Sequence, residues 1–182
     1  KVTGITADLD LRNVVTQLGA DVPEMTLLDL RGRAAWKEVA GGMEVSTRHL
    51  ALRLQNGVEL QPTDFYFRTA KATKGKPAAS EIRANLLQLE SLASLANFLP
   101  LDAGLRAKLD AYAPRGRVSN LNAQWQGALE KPDSHEILNY KIRGQVENLA
   151  LRQVGALPGF SGLSADVDGS DAGGRLNIDS RQ

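Results

Sequence analysis

The chain has 182 residues, room for one domain or two small ones and for a sizeable core without covalent staples. Its 22 basic and 21 acidic side chains leave a formal charge of +1, which argues against a nucleic-acid partner, since neutralising phosphates requires a strong basic footprint. It has no cysteine, so disulfide frameworks, thiolate metal sites and thiol catalysis are excluded, and no apolar run approaches the roughly 20 residues of a membrane-spanning helix.

From the N-terminus, apolar and polar residues alternate with period 2, the mark of a half-buried strand. Ile5, Ala7, Leu9 and Leu11 oppose Thr6, Asp8, Asp10 and Arg12. Leu28, Leu30, Gly32, Ala34 and Trp36 then share one parity, and Gly41-Gly42 predicts a turn. The next strand carries Met43, Val45 and Thr47 on one face, whereas Leu50, Leu52 and Leu54 have the opposite parity. That one-residue shift predicts a bulge near Arg48–His49. Asn56-Gly57 reads as a hairpin turn, Phe65 and Phe67 continue the pattern, Lys71–Pro77 reads as a polar hairpin tip, and Ile82, Ala84 and Leu86 alternate beyond it.

The period changes after Leu86. Leu89, Leu92, Ala93, Leu95, Ala96, Phe98 and Leu99 follow the mixed three-and-four spacing of a helix, and Pro100 stops it. Asp102 reads as the N-cap of a second helix carrying Leu105, Leu109 and Tyr112, ended by Pro114 and Gly116. Strands resume with Leu121, Ala123, Trp125 and Leu129, then Leu138, Tyr140, Ile142 and Val146 beyond a polar loop at Lys131–Glu136. After a Gly/Pro-rich connection at Val154–Gly162, Leu163, Ala165 and Val167, then Leu176 and Ile178, form a last hairpin turned at Gly173-Gly174.

The expected fold is mainly β with a short helical hairpin (α+β): about eight to eleven strands in a curled, largely antiparallel sheet, since the connections are short. Ala40–Arg48 echoes Ala172–Arg181 with one residue inserted, as stacked β architectures do. The chain therefore divides into a β-rich unit over 1–88, a helical hairpin over 89–114 and a second β-rich unit over 115–182. The chain opens at Lys1 in strand-like sequence and stops just after another strand, so both ends read as cuts inside a longer polypeptide.

No catalytic or cofactor motif is present. Gly75-Lys76-Pro77 lacks the Ser or Thr of a phosphate loop, and there is no G-x-S-x-G, G-x-G-x-x-G or H-E-x-x-H. His49 and His135 have no metal-ligand spacing, and His135-Glu136 reads as solvated loop. Asp166, Asp168, Asp171 and Asp179 read as turn and strand carboxylates before a calcium site. Arg68, Lys71, Lys74 and Lys76 make a basic tip, either a solvated hairpin end or a contact for anionic headgroups. No paired carboxylates suggest a glycan hydrolase.

The last third is more distinctive. Ala113-Pro114-Arg115-Gly116-Arg117-Val118 opens the strand bearing Trp125; Tyr140–Leu151 follows, then Val154-Gly155-Ala156-Leu157-Pro158-Gly159-Phe160-Ser161-Gly162-Leu163, Asp166-Val167-Asp168-Gly169 and Gly173-Gly174-Arg175-Leu176. With Phe98-Leu99-Pro100-Leu101 and the following Leu105 and Leu109, this resembles the YhdP-type branch of the AsmA-like family of large bacterial envelope proteins. The resemblance is good over 91–181 and looser over 1–90, and its motifs are turns and strands. It implies a non-catalytic, cofactor-free internal segment of a protein similar to bridge-like lipid-transfer proteins. Such a parent is anchored in the inner membrane by a helix absent from this stretch. It extends through the periplasm and supports phospholipid movement to the outer membrane and the barrier there. It would join neighbouring segments of the same polypeptide by strand addition.

On this reading Leu28, Leu30, Trp36, Leu50, Leu52, Leu54, Phe65, Phe67, Trp125, Tyr140 and Ile142 line an open, taco-like groove and touch phospholipid acyl chains. Acyl chains need only apolar area, about 0.8 kcal/mol per buried CH₂. The same alternation suits a closed core, which would make the chain a structural or protein-binding module. The helical hairpin either caps a sheet edge or face, or gates the groove.

Overall fold

The computed structural model describes residues 2–74, 77–127 and 139–179. In chain order the elements are β1 (Gly4–Thr16), β2 (Met25–Val39), β3 (Gly42–Leu54), β4 (Glu59–Ala70), β5 (Ala79–Gln88), α1 (Leu89–Ala96), α2 (Ala103–Tyr112), β6 (Arg115–Gln126), β7 (Asn139–Leu151), β8 (Phe160–Ser170) and β9 (Gly173–Ile178). All nine strands form one sheet in sequence order, each antiparallel to the next. The sheet does not close on itself: among the described residues β1 and β9 are its two free edges. The β-rich stretches on either side of the helices join directly, because β5 pairs with β6 from Ala79↔Gln126 to Gln88↔Arg117.

The turns sit one residue earlier than the glycine pairs suggested. Val39↔Gly42 and Ser170↔Gly173 already pair as strand, so Ala40-Gly41 and Asp171-Ala172 are the turn residues. Gly41 adopts φ +73°, where a two-residue hairpin needs a left-handed residue. In the Gly/Pro-rich connection the strand likewise resumes earlier, at Phe160.

The bulge expected in β3 is present: the register shifts between Thr47 and Leu50, with His49 at φ 48°. Opposite it, Gly32 is held at φ +132°, where a Cβ would come within 2.7 Å of the His49 carbonyl, so no larger residue fits. Asn13, Asn120 and Asn148 also take left-handed conformations, with register shifts in β6 and β7 at the latter two. These irregularities fall part-way along long strands and bend them, which curls the sheet. Side chains from the neighbouring strand satisfy backbone groups there. The His49 N–H donates to Asp64 Oδ1 (2.6 Å), the Asp64 N–H to Asn85 Oδ1 (2.9 Å) and the Asn148 N–H to Ser164 Oγ (3.1 Å).

The two helices lie where the change of period placed them. Asp102 caps α2 by accepting from the Leu105 N–H at 3.1 Å, and Ala113 ends it in a left-handed conformation. The hairpin crosses the half of the sheet where β1 ends and β2 begins. Leu92, Leu95 and Phe98 pack on a cluster of Met25, Leu27, Leu52, Leu54 and Leu60. Near its tip Pro100 approaches Gly19, and Arg106 Nη1 reaches the Asp21 carbonyl at 3.4 Å. At its base the Gly116 N–H donates to Glu90 and the Arg152 N–H to the Tyr112 carbonyl at 2.8 Å. This cluster is the main core, and the rest of the sheet has no second layer among the described residues.

Candidate functional site

Cross-strand partners point to the same side of a sheet, so the register fixes its two faces. Ile5, Trp36, Val45, Phe67, Ile82, Ala123, Ile142, Gly169 and Gly174 stand in one unbroken row across all nine strands. The next row on the same face carries Ala7, Ala34, Thr47, Phe65, Ala84 and Leu121. Beyond the β3 bulge come Leu11, Leu30, Leu52 and Leu60 on β1 to β4, and just before the β7 bulge come Val146, Ala165 and Ile178 on β7 to β9. Each bulge inserts one residue just where the sequence changes parity, and so keeps the apolar residues on one side.

The other face is polar. Lys37, Glu44, Arg68, Glu81, Gln124 and Lys141 form one row, with opposite charges adjacent from Lys37 to Glu81. Lys37 Nζ meets Glu44 Oε1 at 2.9 Å, the Tyr66 hydroxyl donates to Glu44 Oε2 at 3.2 Å, and the Arg83 guanidinium lies 5.0 Å from the Tyr66 ring centre. Arg83 and Gln124 hold Glu81, Arg33 holds Asp8 at 2.6 Å, and Arg143 holds Asp168 at 2.7 Å. The hydrogen bond from Lys37 keeps the Glu44 carboxyl below its usual range, and that from Arg83 does the same for Glu81. Tyr66 is pushed up, first by burial and then by Glu44.

A depressed folded-state pKa stabilises the fold above the ordinary glutamate value of about 4.3 and is lost as pH falls through the lowered value. The urea midpoint is therefore expected to drop as pH is taken from about 5 to about 3. Glu44→Gln should flatten that dependence, and an equally steep profile in the variant would show that this carboxylate contributes nothing.

The candidate residues separate into two groups. Leu52 and Leu54 are 8% and 2% exposed and belong to the core under the helical hairpin, with Leu30 packed against it. Trp36 and Tyr140 are 37% and 44% exposed, while Phe65, Phe67, Trp125 and Ile142 are half-buried on the same face and, among the described residues, lie outside the cluster that the helices cover. Leu50 is half-buried beside Thr63, and the buried Thr63 hydroxyl is satisfied by the Gln61 carbonyl at 2.7 Å. Leu28 sits at a register shift, and the adjacent Leu27 enters the core cluster instead. That shift was not legible because Leu27 and Leu28 are identical in chemistry.

Ile5, Val45, Ile82, Ala123 and Leu121 belong to the apolar face but were not singled out as candidates. Their parity was visible, but their joining into one row needs the register. Lys71 and Lys74 of the basic tip are exposed, and Arg68 lies between Glu44 and Glu81. Lys76, Leu129, Leu138, the 131–136 loop with His135, and Arg181 of the echoed motif lie outside the described residues. Among the described residues no group of His, Asp and Glu is placed to hold a metal ion, and no helix is long and apolar enough to cross a membrane. Recesses toward the polar rows include two open clefts, one among Arg68, Glu81, Gln124 and Lys141 and one among Glu44, Tyr66, Arg83 and Asn122. The carboxylates in them are already held, Glu44 by Lys37 and Glu81 by Arg83.

What distinguishes the molecule is a two-faced, single-layer open sheet with a helical pair inserted between adjacent strands. The family described as the YhdP protein matches residues 1–182. The chain belongs to the YhdP family. No curated protein and no solved structure matches it. The YhdP family match covers 1–90 as well as the C-terminal part where the turn and strand motifs were clearest.

Proposed function

We propose that the uncovered apolar face carries the hydrocarbon chains of phospholipids, and that this YhdP-family chain is a non-catalytic stretch of a lipid path in the bacterial envelope. The observation that carries this reading is the apolar row from Ile5 to Ile142, which runs off toward the free β1 edge without a polar interruption. A closed sandwich would lay a second sheet over that row, and no second sheet is present among the described residues. Hydrocarbon needs area and no directional partner, which suits a face built from Trp36, Phe67, Ile82 and Ile142. Family membership is in keeping with an envelope location and with phospholipid as the cargo. The free edges suit strand addition by neighbouring segments of the same polypeptide, in the manner of β-augmentation.

The test is photolabelling of the chain with a phosphatidylcholine bearing a diazirine in its acyl chain. Adducts mapped by mass spectrometry are expected on peptides carrying Trp36, Phe67 and Ile142. Labelling spread evenly over both faces, or none, would leave the chain a structural strut.

A further inference from the structure

We infer that the α1–α2 hairpin is a lid over a second acyl-chain seat, floored by Met25, Leu27, Leu52, Leu54 and Leu60; this rests on the acyl-chain reading of the neighbouring strip. The floor belongs to the same face as the strip: Leu30 and Trp36 lie on one side of β2, and Leu30, Leu52 and Leu60 stand in one cross-strand row. It is buried because Leu92, Leu95 and Phe98 of the hairpin lie on it, filling the volume hydrocarbon would take.

The topology allows the hairpin to lift without loss of the sheet. It is inserted between β5 and β6, which pair with each other right up to Gln88↔Arg117, so no strand ladder runs through it. Both of its ends leave the sheet side by side, and the left-handed Ala113 followed by Pro114 forms one of the two hinge points. Away from these ends it is held chiefly by α1, through the apolar contacts of Leu92, Leu95 and Phe98 with the floor and the buried Ala96, which are non-directional contacts that hydrocarbon can replace. Helix α2 contributes no buried residue, and the tip is held by the Pro100–Gly19 contact and the 3.4 Å bond from Arg106 to Asp21. Leu105 on α2 is 46% exposed, so the outer layer of the lid is not itself locked under another element among the described residues. Lifting the hairpin exposes leucine and methionine side chains continuous with the strip, and acyl chains replace Leu92, Leu95 and Phe98 on them.

The chain lacks cysteine, which makes a covalent lock clean to interpret. A Cβ on Gly19 would lie 3.3 Å from Pro100 Cβ, close to the roughly 3.5–4.5 Å span of a disulfide, so Gly19→Cys with Pro100→Cys ties the lid tip to the β1–β2 loop. The diazirine phosphatidylcholine probe is applied to the oxidised and reduced forms of this one variant. Oxidation is expected to cut labelling of peptides containing Leu27, Leu52, Leu54 and Leu60 at least fivefold, leaving Trp36 and Ile142 peptides labelled as before, and reduction restores it. Equal labelling of the floor in both states, or a floor never labelled while the strip is, overturns the lid and leaves the strip reading intact. Absence of labelling anywhere removes both. Should the double variant fail to fold or to oxidise, Phe98→Ala in the otherwise unchanged chain is expected to raise floor labelling severalfold, and an unchanged or lower value overturns the proposal.

Discussion

Truncating Leu54 to alanine is expected to cost about 3 kcal/mol of folding free energy, the typical loss for a leucine removed from a filled core. Leu54 is 2% exposed and the most deeply covered of the core leucines, facing Leu27 across β2 and β3 beneath the helical hairpin. The sheet has one covered patch rather than a core along its whole length, so little surrounding structure is available to collapse into the hole. For a chain of this size that loss corresponds to a fall in melting temperature of about 6–12 °C. The comparison is Ile5→Ala, at a position 60% exposed on the β1 edge, where the expected cost is about 0.5 kcal/mol. Urea unfolding of the two variants measures both. Equal costs would mean that the hairpin does not seal the patch in solution.

Placing a carboxylate in the apolar strip should abolish capture of acyl chains while the sheet survives. Trp36→Glu is the choice because Trp36 is 37% exposed, so its loss spares the core, and because it stands between Ile5 and Val45 in the row. An ionised side chain against hydrocarbon carries a desolvation penalty of several kcal/mol, so acyl-probe labelling is expected to fall at least tenfold. Thr6→Glu supplies the control: it lies on the adjacent strand but on the polar face, opposite Ala35, and should label like the parent chain. Labelling retained in Trp36→Glu would show that lipid contacts something other than this row. The two substitutions separate the covered half of the face from the open half, since the first acts on stability and the second on binding.

The helical hairpin links these outcomes. It converts one end of an otherwise continuous apolar face into a small core and leaves the rest without a covering element among the described residues. On the proposed function, stability and lipid contact draw on the same face, and the position of Leu92, Leu95 and Phe98 divides it between them.

Much of this was written in local pattern. Alternation at Ile5–Leu11, Met43–Thr47 and Leu121–Trp125 set the strands and their two faces, because successive side chains of a strand point to opposite sides whatever the strand pairs with. The change of period after Leu86, with Pro100 and Asp102, set both helices, and the parity change before Leu50 set the bulge at His49. The bulges at Asn120 and Asn148 and the left-handed Asn13 were not read, since asparagine tolerates that conformation but equally occupies ordinary strand and loop positions. Nor did the sequence by itself distinguish Leu54 from Phe67: both are apolar residues on one face of a strand. Only the tertiary structure decided that a helical pair inserted after β5 lies over the first and not over the second. Periodicity is a property of a few consecutive residues, whereas coverage depends on where a distant segment comes to rest.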